Sequence, residues 1–276
     1  MKNITLKVIS FISLFLLFTS LISSKPLCFT SNKNESIITI DSTSSVGLPM
    51  RLRDIPTLNI SGSAQFTKDQ LLNLKNSINK DNICIVDLRQ ESHGMINDLA
   101  ISFLNPYKDL NNGFTTEQTI KAENSLLNKI KIGNTIQLYK HTGIFIKDIT
   151  VDFISNESQL VTEADMQYKR FAVKDNSAPD IVDEFVEFIK NKPDDIHLHF
   201  HCAAGKGRTT SFMVMYQAMK NNSNLTLEQL LSYQYNIGGV NLHDNNIQYN
   251  FLEDFCNYVQ KNKDYSISYS QWIKES

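Results

Sequence analysis

The chain is poor in cysteine, carries no excess of charge of either sign and shows no internal repeat. Four cysteines in 276 residues (Cys28, Cys84, Cys202 and Cys256) are too sparse for a disulfide framework. Cys84 and Cys256 sit within apolar runs and read as small buried hydrophobes. With 27 Lys and Arg against 29 Asp and Glu, the net charge of −2 gives no basis for nucleic-acid binding, so an anion site must be a local basic concentration. The lack of a repeat or heptad seam excludes a solenoid or coiled coil and assigns no oligomeric state. A Walker-type nucleotide loop is also missing. It needs a Gly five residues before its Gly-Lys pair and Ser or Thr after the Lys; Phe200 and Gly207 stand there.

One long apolar run exists, at the N-terminus. Lys2 and Lys7 precede Val8 to Ile22, and Ser23-Ser24 offer small residues for cleavage. This is a secretory signal pattern over residues 1–24, with an uncleaved anchor as the alternative. Its loss would remove two lysines and take the charge from −2 to −4. Residues 25–45 are rich in Ser, Thr and Asn and read as a disordered tether. The expected location is secreted or extracytoplasmic, with no stable membrane insertion after cleavage.

Residues 46–276 read as one domain. Thr67 and Gln70 form a capping box, after which Leu71, Leu74 and Ile78 share a helical face. Ile83 to Val86 is a buried strand, followed by a polar loop from Asp87 to Gly94. A helix is expected from Thr115 to Ile130, with Ile120, Leu127 and Ile130 aligned. Short strands at Thr135 to Tyr139, Gly143 to Ile149 and Val151 to Ile154 suggest a β-rich insertion at about 132–165. Further helices follow Pro179, Thr226 and Asn246. Strands alternating with helices indicate an α/β fold with a central, largely parallel sheet.

The informative segment is His201-Cys202-Ala203-Ala204-Gly205-Lys206-Gly207-Arg208-Thr209-Thr210, between the apolar run Ile196 to Phe200 and a helical run to Met219. A cysteine, five residues and an arginine form a loop able to hold one phosphate dianion. Its glycines turn backbone N–H groups inward, and the following helix adds its positive end. Arg208 can grip two phosphate oxygens as a planar fork. The thiolate form of Cys202 attacks phosphorus. His197, His199 and His201 alternate and share one strand face, but no acidic neighbour in sequence completes a zinc site, and the phosphate loop already accounts for His201.

Three stretches together resemble the bacterial protein-tyrosine-phosphatase-like inositol polyphosphatases, or cysteine phytases. They are Leu58 to Ala64 with Val86 to Gly94, Lys174 to Pro179, and Leu198 through Thr210 to Met215. The resemblance implies a tyrosine-phosphatase-like sheet flanked by helices, carrying a small β-rich domain. It implies hydrolysis of inositol polyphosphates without metal or cofactor. By position it makes Cys202 the nucleophile, Arg208 the phosphate clamp and Asp175 the general acid. His201 would hydrogen-bond the loop backbone and Thr209 would stabilise the departing sulfur. Substrate contacts are expected from Ala203, Ala204, Gly205, Lys206 and Gly207 of the loop, and from Lys174 and Arg53. His93 is expected to be a structural hydrogen bonder. The chain departs from the family pattern at Asn176, commonly His, and at Ala203, often Glu. Lys206 also resembles the loop of phosphoinositide phosphatases. Protein tyrosine or phosphoinositide phosphatase activity, by an exported effector, is thus the alternative function, and a catalytically dead phosphate-binding module the third.

Overall fold

The computed structural model describes residues 35–43, 46–175, 181–220 and 224–275. The signal segment, Cys28 and Asn176 to Pro179 lie outside them. A five-stranded sheet carries the Cys202–Arg208 loop. Its central strand is β11 (His197–Cys202). On one side lie β4 (Ile83–Asp87) and β10 (Gln167–Arg170); on the other, β3 (Ile60–Ala64) and β2 (Arg53–Ile55). The strands from β10 to β3 are parallel, and only β2 runs antiparallel. Every residue of β4 and of β11 is buried, because both faces of the sheet are covered.

A second sheet of six strands has the order β8-β7-β1-β6-β5-β9. It comprises β1 (Ile37–Ser42), β5 (His93–Ile96), β6 (Leu99–Leu104), β7 (Thr135–Tyr139), β8 (Phe145–Thr150) and β9 (Ile154–Ser155). This corrects two expectations. The β-rich unit is not an insertion confined to 132–165; half of its strands come from β1 and the β5–β6 hairpin. Nor is the whole of 25–45 a tether, since β1 pairs antiparallel with β6 and parallel with β7. Its sequence, IITIDS, looks polar locally, but Ile and Thr suit a strand once a ladder is supplied from distant residues.

The helices are α1 (Lys68–Ile78), α2 (Thr116–Leu127), α3 (Glu157–Glu163), α4 (Val182–Asn191), α5 (Gly207–Met219), α6 (Leu227–Asn236), α7 (Asn246–Lys261) and α8 (Tyr269–Glu275). Capping boxes open α1, α2 and α6 at Thr67, Thr115 and Thr226. In α2 the inward face runs through Thr119, Glu123 and Leu127, while Ile120 points outward. The Ile120 alignment fails because the buried face is built around an ion pair of Glu123 rather than around apolar side chains.

Helix α5 is buried continuously from Arg208 to Ala218, packed by β11, β3, α6 and α7. A helix enclosed on all sides is apolar all round and shows no one-sided pattern. The main core gathers Phe185 and Ile189 of α4, Leu198 and Phe200 of β11, and Phe212 of α5. The other face of the large sheet packs Ile83 and Ile85 against Leu71 and Leu74 of α1 and Leu160 of α3, and reaches Met95 of the second sheet. The sheets are thus joined on the side of β11 from which His199 and His201 project. Cys84, Cys202 and Cys256 are free and buried, and burial pushes the Cys84 and Cys256 thiols up to about 12.

Candidate active site

Alternation along β11 decides what each of its side chains meets. Leu198, Phe200 and Cys202 belong to the main core. His197 and His199 turn to the opposite face, where Ser61 Oγ lies 2.8 Å from His197 Nε2 and 2.8 Å from His199 Nδ1. Ser63 Oγ lies 2.9 Å from His199 Nε2. The histidine row is therefore tied to β3 serines. Burial drives His197 down to about 4 and holds His199 well below the usual imidazole range.

The loop after β11 turns over the edge of β3. Gly205 has φ +65°, and a Cβ there would stand 2.4 Å from the Ala64 backbone nitrogen. Both the left-handed torsion and the close approach require glycine. Cys202 is 2% exposed, and Thr209 Oγ1 donates to its sulfur at 3.2 Å. Ala203 is half-buried, Ala204 and Lys206 are exposed, and Gly207 starts α5 beneath the loop. The helix thus directs its free N–H groups and positive end at the loop.

Arg208 enters from the first turn of α5. Its Nη1 and Nη2 donate to the two Glu91 oxygens at 2.7 and 2.8 Å, a parallel fork. Nη1 also reaches the carbonyls of Leu88 and Val173, each at 3.2 Å. Burial opposes the Glu91 charge, but Arg208 and Arg89 outweigh it and hold the carboxyl well below the ordinary range. Arg89 is fully buried and pairs with Asp41 of β1 at 2.9 Å. Asp175 is on the exposed side, its side chain 65% accessible, with Oδ1 3.4 Å from Arg208 Nε.

A cavity of about 320 Å³ opens here. Ala203, Asp175 and Arg208 form one wall; Lys174, Lys108 and His141 bring polar groups from further along the chain. Lys108 and His141 were not singled out from the sequence, because only tertiary structure brings the β6–α2 and β7–β8 connections beside the loop. Glu91 was quoted in the motif without a role. An arginine buried at a loop mouth needs a carboxylate partner, and that signal was available.

Two expected roles change. Arg53 is 3% exposed and donates to Gly205 O at 3.0 Å and Thr210 Oγ1 at 3.2 Å. It braces the loop from behind and does not line the cavity, because β2 runs beside β3 on the far side of the loop. Burial pushes Arg53 down to about 10. His201 does not turn its ring to the loop backbone; strand alternation sends it to the other face, with Nε2 2.7 Å from Glu157 Oε1. His93 is fully buried beside Asp87, Glu123 and Glu157.

Among the described residues, Asp87, His93 and Glu157 form a group whose ligand atoms lie within 4.8 Å of one another. Both Asp87 oxygens and one Glu157 oxygen already accept hydrogen bonds. Tyr168 Oη donates to Asp87 at 2.7 Å, Gln65 Nε2 to Glu157 at 2.7 Å, and Arg170 Nε stands 3.1 Å from Asp87. A cation placed there would also face the Arg170 charge, so the group behaves as an ion-pair network.

A family model for protein-tyrosine-phosphatase-like phytases, with inositol hexakisphosphate as its descriptor, matches residues 86–220. Those residues run from β4 through the Glu91 loop and Asp175 to the end of α5. Over that segment the chain is similar to the family. A myo-inositol phosphatase from Mitsuokella multacida, solved with myo-inositol-(1,3,4,5)-tetrakisphosphate, is similar over 95% of this chain, with 29% identity and a TM-score of 0.80. A phytase from Bdellovibrio bacteriovorus is similar over 89% of this chain and 98% of its own length, with 26% identity and a TM-score of 0.75. Effector protein hopD2 of Pseudomonas syringae pv. tomato is 26% identical over 85% of this chain. The chain spans about half of two of these relatives, 52% of the Mitsuokella chain and 55% of the effector.

Proposed function

We propose that this chain acts as a phytase-like, cysteine-dependent phosphatase that hydrolyses inositol polyphosphates without a metal. Cys202 Sγ attacks phosphorus, the bond from phosphorus to the inositol oxygen breaks, and Asp175 supplies the proton that the leaving oxygen takes. Water then attacks the phosphocysteine and gives its proton to the Asp175 carboxylate. The sulfur–phosphorus bond breaks and inorganic phosphate leaves. Arg208 and the loop N–H groups stabilise the charge on the equatorial oxygens. Thr209 Oγ1, 3.2 Å from the sulfur, is placed to stabilise it as it departs.

The observation that carries the substrate class is the cavity. Arg208 and Ala203 line it, while Lys108 and Lys174 reach it from separate loops. One phosphate occupies one loop; cations on the surrounding walls suit a ring bearing several. The Mitsuokella relative, which binds an inositol tetrakisphosphate, supports the same reading. The apolar N-terminal segment and the similarity to an effector protein support an extracytoplasmic or translocated destination. Among the described residues, no helix is long and apolar enough to cross a membrane.

The test is a phosphate-release panel over inositol hexakisphosphate, lower inositol phosphates, phosphoinositides and phosphotyrosine peptides, run with and without a chelator. Inositol polyphosphates are expected to be preferred, with no loss in chelator. Preference for phosphotyrosine peptides or for phosphoinositides would replace the substrate assignment. Chelator sensitivity would remove the metal-free mechanism.

A further inference from the structure

His201 immediately precedes Cys202, but its ring lies on the opposite face of β11, in the layer between the two sheets. It stands between the Phe66 ring, at 4.9 Å between centroids, and the Glu157 carboxylate, at 2.7 Å. Glu157 is the first residue of α3 and is fully buried. Its other oxygen accepts from Gln65 Nε2 at 2.7 Å and lies 3.3 Å from His93 Nε2. One carboxylate thus lies against two imidazoles, in neither case with hydrogen-bond geometry.

The two imidazoles belong to the two halves of the phosphate site. His201 leads into the nucleophile, and its carbonyl accepts from Leu88 N at 3.0 Å. His93 Nδ1 lies 2.9 Å from the Glu91 carbonyl, and Glu91 holds Arg208. The groups around this pair are Asp87, Glu123, Tyr168 and Arg170. Burying so many ionisable groups is a poor source of stability, since their desolvation offsets most of the attraction. What such a network does supply is fixed geometry, if every member is held. Burial works against the Glu157 charge, yet His201 and His93 outweigh it and keep the carboxyl well below the usual range.

We propose that Glu157 is a positioning residue for the phosphate loop: it fixes the His201 ring from behind and, through it, the backbone path that sets Cys202 Sγ under Thr209 and beside Arg208. The inference rests on the reading of Cys202 as nucleophile. The α3 helix of the join between the sheets therefore takes part in catalysis without touching substrate. A misplacement of about 1 Å at the reacting atom is enough to cost on the order of 10²-fold in rate.

The experiment is a double-variant cycle of Glu157→Gln, His201→Asn and the pair, read as kcat and KM on nitrophenyl phosphate and as thermal midpoint. Glu157→Gln is expected to lower kcat by about 10- to 100-fold while KM stays within about twofold. The double variant is expected to lose less than the two single losses multiplied together, because Glu157 reaches Cys202 through His201. Losses that multiply, or a change in KM with kcat intact, would overturn the proposal. If Glu157→Gln does not fold, Glu157→Asp, which keeps the charge at shorter reach, takes its place in the cycle; failure of both to fold assigns Glu157 to stability and rejects the positioning role. Cys202→Ser, measured alongside, separates the two levels. Full activity in Cys202→Ser defeats the nucleophile assignment itself, whereas an inactive Cys202→Ser with independent Glu157 and His201 losses defeats only the positioning role.

Discussion

Arg208 and Glu91 meet through two parallel hydrogen bonds of 2.7 and 2.8 Å, at the mouth of the loop that carries Cys202. The carboxylate holds the guanidinium plane in place before any phosphate arrives. In the proposed mechanism Arg208 then has little conformational freedom to lose when substrate binds, which is how a preformed clamp gains affinity.

Glu91→Gln should weaken that clamp and make stability less dependent on pH. The folded pKa of Glu91 is depressed, so its contribution is fully present above the ordinary value of 4.5 and is lost as pH falls through the lower folded value. Thermal midpoints measured downward from pH 5 should therefore fall less steeply in Glu91→Gln than in the unmodified protein. At neutral pH the variant should be less stable by about 3 kcal/mol, because Arg208 keeps a buried charge without its partner. Parallel pH slopes in the two proteins would mean that Glu91 ionises as freely as an exposed carboxylate.

Asp175→Asn should slow alkyl phosphates more than aryl ones. An inositol oxygen is a poor leaving group and needs a proton, whereas a nitrophenolate does not. The loss on inositol phosphates should be on the order of 10²–10⁴-fold, with a much smaller loss on nitrophenyl phosphate. Initial rates on the two substrates decide it. An equal loss would assign Asp175 to positioning Arg208, whose Nε is 3.4 Å away.

Lys206→Ala should reduce hydrolysis of inositol hexakisphosphate more than that of a phosphotyrosine monophosphate. Lys206 is exposed within the loop, two residues before Arg208, and a flexible ammonium there is expected to meet a second phosphate. The gap between the substrates should narrow at high salt, where exposed charges are screened. Equal factors on both substrates would leave Lys206 with general steering alone.

Gly205→Ala should destabilise the fold and abolish turnover together. The added Cβ meets Ala64 N at 2.4 Å and Ser63 C at 2.6 Å, both backbone atoms of a central strand that cannot yield cheaply. A loss of more than about 2 kcal/mol is expected from denaturant unfolding. Native stability in this variant would show that the loop can swing away from β3.

The sequence by itself determined the Cys202–Arg208 loop proposed here to hold phosphate, because its pattern is local. Cysteine, glycines, arginine and threonine at fixed offsets need only a preceding strand and a following helix, and both are legible beside them. The capping boxes at Thr67 and Thr226 were legible for the same reason, since each bond spans three residues. Tertiary structure alone decided the second sheet. β1, β5–β6 and β7–β9 are separated by long stretches of chain, and Asp41 finds Arg89 only after that sheet has formed. It also decided the direction of the buried charges. Strand alternation says that His201 and Cys202 face opposite ways, but not that Glu157 waits on one side. Nor does the sequence reveal that Arg53 braces the loop from behind while Lys108 faces the cavity. Those outcomes depend on which distant segments the two sheets bring together, and no local rule of propensity or spacing encodes that pairing.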